Sequence, residues 1–416
     1  MTAKASNWGK QPHRLLELDE AWSAISAELA PGSIETVPLA NAVGRTLARA
    51  GYAGGDFPPF NKAMMDGFAV RSADCSAAGA KLKIVGLRQA GENQDITLNS
   101  GEALRINTGA MLPKGADAVA RIEDCTVSND GADVSIDVAI VAGKHVAPRG
   151  SDYASGALLF PKPLEINAAR LAALATAGVS DVDVYRQAEV AILTTGNETV
   201  SIGAPRAAGQ IVDSNGPMLT ALVERFDATA RPLGIVPDDD AKLKTAMQGA
   251  LSSDVVLIAG GMSMGTHDLV PNIAEALGVR WIFHGVRIRP GKPVAYGRGP
   301  NGQHVFGLPG NPVSAFVCAT VFAQMAIRAL RGHPIRPPKM LRAHNARRLD
   351  PKGDDRPAFL PALVWQDAKG KYWADACAWR GSGDPFGLVM ANGLMLRRDP
   401  TGVLEAGDGV EVVEIG

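Results

Sequence analysis

Three glycine-rich loops, each beside a short apolar run, hold the residues best suited to chemistry. Thr194-Thr195-Gly196-Asn197-Glu198 sets an acid beside a flexible turn. Gly260-Gly261-Met262-Ser263-Met264-Gly265-Thr266-His267-Asp268 follows five apolar residues and ends in another acid. Gly307-Leu308-Pro309-Gly310-Asn311-Pro312-Val313-Ser314 opens an apolar helix, with Pro312 suited to its first turn. Glycines let backbone approach a ligand, and a helix start offers unpaired N–H groups to an anion. A phosphate, or an oxyanion like it, fits such loops. Taken singly, a glycine pair after a buried strand is structural punctuation as often as a site; three such loops with acids argue for a site.

Glu198, Asp238 and Asp268 are expected at carboxyl ends of strands. Carboxylates gathered near bound phosphates suit Mg²⁺, which accepts few protein ligands and keeps its waters. For Asp238 a second reading stands open, because Asp238, Asp239 or Asp240 can each cap the helix that follows. A basic loop complements the acids: Arg287, Arg289, Lys292 and Arg298 surround Arg289-Pro290-Gly291-Lys292-Pro293. Its two prolines stiffen it and preorganise the cations for an oxyanion; the plainer alternative is a solvated charged loop.

The elements needed to position these loops are legible. From 189 to about 330 strands and helices alternate: strand 190–194, helix 217–226, strand 233–236, helix 239–251 and strand 255–259. That alternation indicates a parallel α/β sheet with ligands beyond the carboxyl ends of its strands. Leu15, Leu18, Trp22, Ile25 and Leu29 recur at helical spacing and mark a core or dimer-packing face. Short strands at 80–87, 118–122 and 134–141 between turn residues read as a small β-rich domain, followed by a helix at 167–177 closed by Gly178. From about Gly332 short strands and turns return, read as a small β-barrel.

Composition narrows the function. With 42 basic and 43 acidic residues among 416, no global field gathers nucleic acid or lipid. The basic run 328–348 lacks interleaved aromatics and reads as solvated surface rather than a nucleic-acid face. Cys75, Cys125, Cys318 and Cys377 lie far apart, which favours reduced thiols in a cytoplasmic chain over disulfides or structural zinc. The N-terminus lacks a signal-peptide pattern, and the apolar run 313–327 is short of the roughly 20 residues that span a bilayer. No P-loop or paired-histidine metal motif is present.

The same loops resemble known signatures. Pro59-Phe60-Asn61-Lys62-Ala63-Met64-Met65-Asp66-Gly67-Phe68-Ala69-Val70 and Arg105-Ile106-Asn107-Thr108-Gly109-Ala110 resemble the first two motifs of the molybdopterin molybdenumtransferase (molybdenum insertase) family, which includes the gephyrin E domains. The loops at 195–198, 260–268, 290–293 and 307–314 resemble the remaining motifs, in the same order. The likeness runs from about Leu15 to Val413.

The resemblance implies a multidomain α/β fold. Its parts are a discontinuous elongated domain (1–50 with 145–186), an inserted β-rich domain (51–144), a three-layer α/β domain like the pterin adenylyltransferases (187–332) and a C-terminal β-barrel (333–416). It implies a cytoplasmic homodimer that inserts molybdate into adenylylated molybdopterin and releases AMP, with Mg²⁺ or a similar divalent ion. A pterin adenylyltransferase and acceptor molybdoenzymes are the implied protein partners. By position, Asp66, Thr108, Glu198, Asp238 and Asp268 carry the catalytic roles, with Glu198 and Asp268 on the metal. Gly260, Gly261, Ser263, Gly265, Arg289, Lys292, Pro309, Gly310, Asn311, Ser314 and Ser382 would bind the pterin nucleotide and molybdate. Asp66 and Thr108 are implied to face the α/β site of the other subunit.

Several positions depart from the family pattern. Ala63 and Asn61 stand for a usual serine and aspartate, and Asn197 for an aspartate. Gly285 stands for a lysine, while Leu360 and Ala147 fall where arginines are expected, with Arg356 and Arg149 nearby. Cations are lost on the oxyanion side while the acids survive. This leaves a second reading, a diverged paralogue that only binds the pterin or finished cofactor for one acceptor enzyme. A third, the pterin adenylyltransferase itself, predicts ATP binding and leaves the Asp66 and Thr108 motifs without a use.

Overall fold

The computed structural model describes residues 14–262, 269–351 and 353–415. The chain divides into two compact units, Thr36–Val184 and the remainder formed by Met1–Glu35 with Tyr185–Gly416.

The larger unit is built on a six-stranded sheet. Across it run Thr229–Val236, Glu189–Thr195, Val255–Ala259, His304–Leu308, Ala295–Arg298 and Arg280–His284. The first four are parallel, as the strand–helix alternation predicts. Ala295–Arg298 runs against its neighbours on both sides, so the sheet is mixed rather than wholly parallel. The reason is loop length: the segments 285–294 and 299–303 are too short for a parallel crossover of a dozen or more residues. They make two hairpins instead.

Side chains alternate between the faces. Val190, Ile192, Val255 and Leu257 join a core with the helices Leu18–Ser26, Asn215–Arg225 and Pro312–Leu330. Ala191, Leu193, Val256 and Ile258 pack with Asp240–Ala250 and Leu269–Ala276. The result is three layers. The apolar face of the first helix is core, and the Trp22 indole donates to the Val321 carbonyl at 3.2 Å. Pro312–Leu330 is the one helix among the described residues long and apolar enough to cross a membrane, and 78% of it is buried in this core.

The chain leaves Glu189–Thr195 over one face and Val255–Ala259 over the other. Adjacent strands whose exits diverge open a crevice at their carboxyl ends, the topological switch point of an α/β sheet.

Five strands from Met340–Asn345 to Gly409–Glu414 close into the expected barrel. The basic hairpin is fastened to it: Arg289 N–H donates to the Pro357 carbonyl and Phe359 N–H to the Arg289 carbonyl, both at 2.8 Å.

The smaller unit is β-rich, as its turn spacing predicts. Its largest sheet has the order Ala118–Arg121, Gly67–Val70, Glu102–Ile106, Ala80–Arg88, Asp133–Ile136 and Cys125–Val127. The strand expected over 134–141 stops at Ile136, because its partner strand begins at Ala80 and no ladder remains beyond it. Helix Ala168–Thr176 is capped by the Asn167 side chain, which accepts from Arg170 N–H, and Gly178 follows at φ +76°. All four cysteines are free thiols.

Candidate active site

The switch-point crevice is a cavity of about 850 Å³. Thr195, Gly196 and Glu198 enter it from Glu189–Thr195, Asp238 from the edge strand Thr229–Val236, Gly260 and Gly261 from Val255–Ala259, and Pro309 to Pro312 from His304–Leu308. Gly260 has to be glycine. Its φ is +101°, and a Cβ there would lie 2.6 Å from the Thr195 carbonyl oxygen.

The run of three aspartates resolves cleanly. Asp239 caps helix Asp240–Ala250, its carboxylate accepting from Lys242 N–H at 2.9 Å. Asp238 is thereby released from capping and lines the cavity. Its own N–H donates to Asn197 Oδ1 at 3.1 Å, which ties the two acid-bearing loops together. The side chains of Glu198 and Asp238 are exposed, and among the described residues their carboxylates hold no hydrogen-bond partner.

Two polar atoms at this cavity are buried without partners: the Thr195 hydroxyl oxygen and Asn215 Oδ1. The Asn215 amide donates from its other end to the Gly310 carbonyl at 2.7 Å. Asp213 is committed, accepting from the Thr194 hydroxyl and from Gly216 N–H, both at 3.0 Å.

A second cavity of about 320 Å³ shares Pro293, Pro309 and Asn311 with the first and is cationic. Arg289, Lys292 and Arg356 line it, with Ser314, Trp379 and Ser382. Asn311 donates to the Ser382 hydroxyl at 2.9 Å, joining the α/β loop to the barrel segment. Asp354 takes three bonds from Arg356, two from its guanidinium and one from its N–H, and lies 3.8 Å from Arg289. The Arg356 guanidinium holds the Asp354 carboxyl far below the usual carboxylate range.

The structure thus gathers Glu198, Asp238, Gly260, Gly261, Pro309, Gly310 and Asn311 around one cavity. Arg289, Lys292, Ser314 and Ser382 surround the adjoining one, which also takes in Pro309 and Asn311. Ser263, Gly265 and Asp268 lie outside the described residues. Asp66 and Thr108 lie in the smaller unit, where the Thr108 N–H and hydroxyl both donate to Asp66 Oδ1, at 2.6 and 2.9 Å. These two bonds, the backbone one first, lower the Asp66 pKa.

Among the departures, Gly285 has φ +92°, a backbone conformation that strains any side chain, and a Cβ would stand 2.6 Å from Leu15 Cδ2. Asn61 accepts the Arg149 N–H at 2.8 Å. Leu360 lines a small cavity beside Arg356, and Arg356 itself reaches the wall shared with Arg289 and Lys292.

Sequence reasoning missed Thr195 and Asn215 as cavity groups, and Trp379 altogether. The motif Asp213-Ser214-Asn215-Gly216 at the start of helix Asn215–Arg225 was the available signal for Asn215. Phe386, 81% exposed at the cavity rim, gave none.

Comparison with known proteins fits this architecture. A family model described as the probable molybdopterin binding domain matches residues 191–329, the α/β domain with its crevice. Models of the MoeA N-terminal region (domain I and II) and C-terminal region (domain IV) match residues 16–178 and 342–415. The molybdopterin molybdenumtransferase of Haemophilus influenzae is 31% identical over 401 residues, covering 96% of this chain and 98% of the relative. That of Synechococcus elongatus is 34% identical over 361 residues, covering 82% and 89%. The crystal structure of a molybdopterin biosynthesis MoeA protein from Pyrococcus horikosii superposes with a TM-score of 0.82 at 32% identity, covering 97% of this chain and 100% of that one. Fold and site define the class, a multidomain protein with a molybdopterin-binding α/β domain. Within that class, the chain belongs to the MoeA family of molybdopterin molybdenumtransferases.

Proposed function

We propose that this protein inserts molybdate into adenylylated molybdopterin and releases AMP, acting as a cytoplasmic homodimer with the four-domain division set out above. The observation that carries the reading is the junction of two unlike cavities. One is lined by free carboxylates and glycine backbone, the other by cations, and they share Pro293, Pro309 and Asn311.

Gly260, Gly261 and Gly310 offer backbone to the pyrophosphate of the pterin nucleotide. Arg289, Lys292 and Arg356 hold the molybdate oxyanion, with Ser314 and Ser382 as hydroxyl partners. Among the described residues no three His, Cys, Asp or Glu side chains gather as a metal cluster. The donors around Glu198 are all oxygen: two free carboxylates and the orphaned oxygens of Thr195 and Asn215. That set fits Mg²⁺, a hard cation that takes few protein ligands. Glu198 and Asp238 would hold it, with Asp268 as the further proposed ligand; bound there, it neutralises charge on the pyrophosphate. Asp66, set by Thr108, is the proposed contribution of the partner subunit's inserted domain.

The non-catalytic paralogue is disfavoured by Arg356, which restores a third cation to the cavity where the sequence pattern counted one lost. Incubating the purified chain with adenylylated molybdopterin, Mg²⁺ and molybdate tests the proposal. AMP release dependent on molybdate is expected. Tight pterin binding without AMP release overturns it.

A further inference from the structure

Phe386 stands at the rim of the large cavity with its ring 81% exposed. Val389 and Met390, three and four residues on, are 72% and 70% exposed. Apolar side chains gathered on a surface, unlike scattered ones, mark a place where something binds. Among the described residues Phe386 is also the only aromatic side chain that lines this cavity.

The exposure is built into the turn that carries the ring. Pro385–Leu388 is a short 3₁₀ turn, and Leu388 packs against the main core. Gly387 lies on Trp379, where a Cβ would stand 2.4 Å from Trp379 Cβ. The Asp384 carboxylate accepts from Arg380 N–H at 2.9 Å and from Phe386 N–H at 3.2 Å. Upstream, the Ser382 carbonyl accepts from Val313 N–H at 3.0 Å, and its hydroxyl from Asn311 at 2.9 Å. The segment is therefore fastened on both sides of Phe386, and the ring is held out over the cavity before any ligand arrives. Holding a contact group in place beforehand reduces the ordering cost of binding.

The other walls of the cavity suit phosphate and metal: glycine backbone, free carboxylates and small hydroxyls. An aromatic face suits a flat heterocycle, which stacks on it whatever its hydrogen-bond pattern. An adenylylated pterin has two such rings, and the course of the chain selects between them. Gly381 and Ser382 line the cationic cavity, while Gly383, Pro385 and Phe386 line the large one. At the fixed spacing of successive Cα atoms, Phe386 lies at most about 15 Å from Ser382. The dithiolene that must meet an oxyanion at those cations is carried by the pterin; the adenine lies beyond the pyrophosphate. Phe386 is thus placed on the pterin side.

We propose that the Phe386 ring is the stacking platform for the pterin ring of the substrate, and so a residue that sets specificity for a flat heterocycle. The inference rests on the pterin-nucleotide reading of the cavity and concerns binding alone.

Calorimetric titration of the full-length protein with adenylylated molybdopterin, with molybdopterin and with AMP tests it. Phe386→Ala should weaken the first two roughly tenfold or more, the scale of one lost ring stack, and leave AMP unchanged. Phe386→Trp should restore binding, whereas Phe386→Leu, apolar without a π face, should not. Val389→Ala, exposed but outside the cavity lining, should bind as the wild type does. In turnover, Phe386→Ala should raise KM and leave kcat in place, because the stack is made equally in ground and transition states. The thermal midpoint of each variant should stay at the wild-type value. Wild-type affinity in Phe386→Ala, or in Phe386→Leu, overturns the inference. A loss confined to AMP moves the ring to the adenine and overturns the pterin assignment. Aromatic-dependent binding without AMP release in the wild type would overturn the transfer reaction and leave this contact standing.

Discussion

Asn197 Oδ1 accepts the Asp238 N–H at 3.1 Å, so a residue that departs from its family's usual aspartate fastens one acid-bearing loop to the other. The amide does work that needs no charge, because an aspartate oxygen would accept the same bond.

Removing the acceptor with Asn197→Ala should therefore loosen Asp238 without unfolding the chain. Both residues are exposed, so water replaces the lost bond, and the stability change should stay within about 1 kcal/mol. AMP release is expected to fall roughly tenfold, equivalent to about 1.4 kcal/mol on the barrier. Asn197→Asp keeps the acceptor and adds a carboxylate beside Glu198; it should tighten Mg²⁺ dependence. A Mg²⁺ titration of AMP release in the three proteins checks both outcomes. Equal curves for alanine and wild type would remove Asp238 from the site.

Glu198 has no side-chain partner among the described residues, so its carboxylate contributes little to folding. Glu198→Gln should leave the thermal midpoint unchanged while lowering AMP release by about 10²-fold or more, the scale of losing one key electrostatic group. Rescue at high Mg²⁺ would show that the carboxylate serves the metal. An unaltered rate would place the metal elsewhere.

The legible part of this site is the part written in local chemistry. Gly260, Pro312 and the acid at 198 report backbone and charge requirements that sequence neighbours impose, and each stands at a strand end or helix start. What stayed hidden depends on distant packing. Trp379 lines the cationic cavity from the barrel side, where the Pro357 and Phe359 backbone bonds to Arg289. Likewise, Asp238 and Asp239 are equivalent as letters; the cap bond to Lys242 N–H alone separates their roles. The reversed strand Ala295–Arg298 was readable from loop length but masked by the strong alternation before it.

Asp66 supplies a pH test. Its pKa is lowered by the Thr108 N–H first and the Thr108 hydroxyl second. A lowered carboxyl contributes stability that is present above its unfolded value, about 3.9, and lost as pH falls through the folded one. Thr108→Ala removes the hydroxyl bond and keeps the backbone one, so the Asp66 pKa should rise part of the way back. NMR titration of the Asp66 carboxyl in both proteins measures this. If the Asp66 charge serves the reaction, the acid limb of the AMP-release profile should move to higher pH by the same amount. No movement of the NMR pKa would mean that the hydroxyl bond contributes nothing in solution.

His304 makes a stability prediction of the same sign, in a higher pH window. It is 2% exposed, its Nδ1 meets the Tyr296 hydroxyl at 2.9 Å, and Arg298 lies against the ring. Burial first, and the Arg298 cation second, push its pKa down to about 3. The unfolded value is about 6.5, so between the two the unfolded chain binds the extra proton. Stability is therefore highest above about pH 6.5 and declines as pH falls towards the folded value, where the decline from this residue ends. His333, pushed down to about 4, adds a smaller slope of the same sign, so the trend should weaken rather than vanish when His304 is removed. In His304→Gln the side chain retains hydrogen-bonding capacity and loses the titration. Urea midpoints of both proteins between pH 7.5 and pH 4 should converge as pH falls, with the wild type more stable at the alkaline end. Parallel lines would show that His304 titrates normally in the folded chain, and that the Tyr296–Arg298 pocket admits its proton.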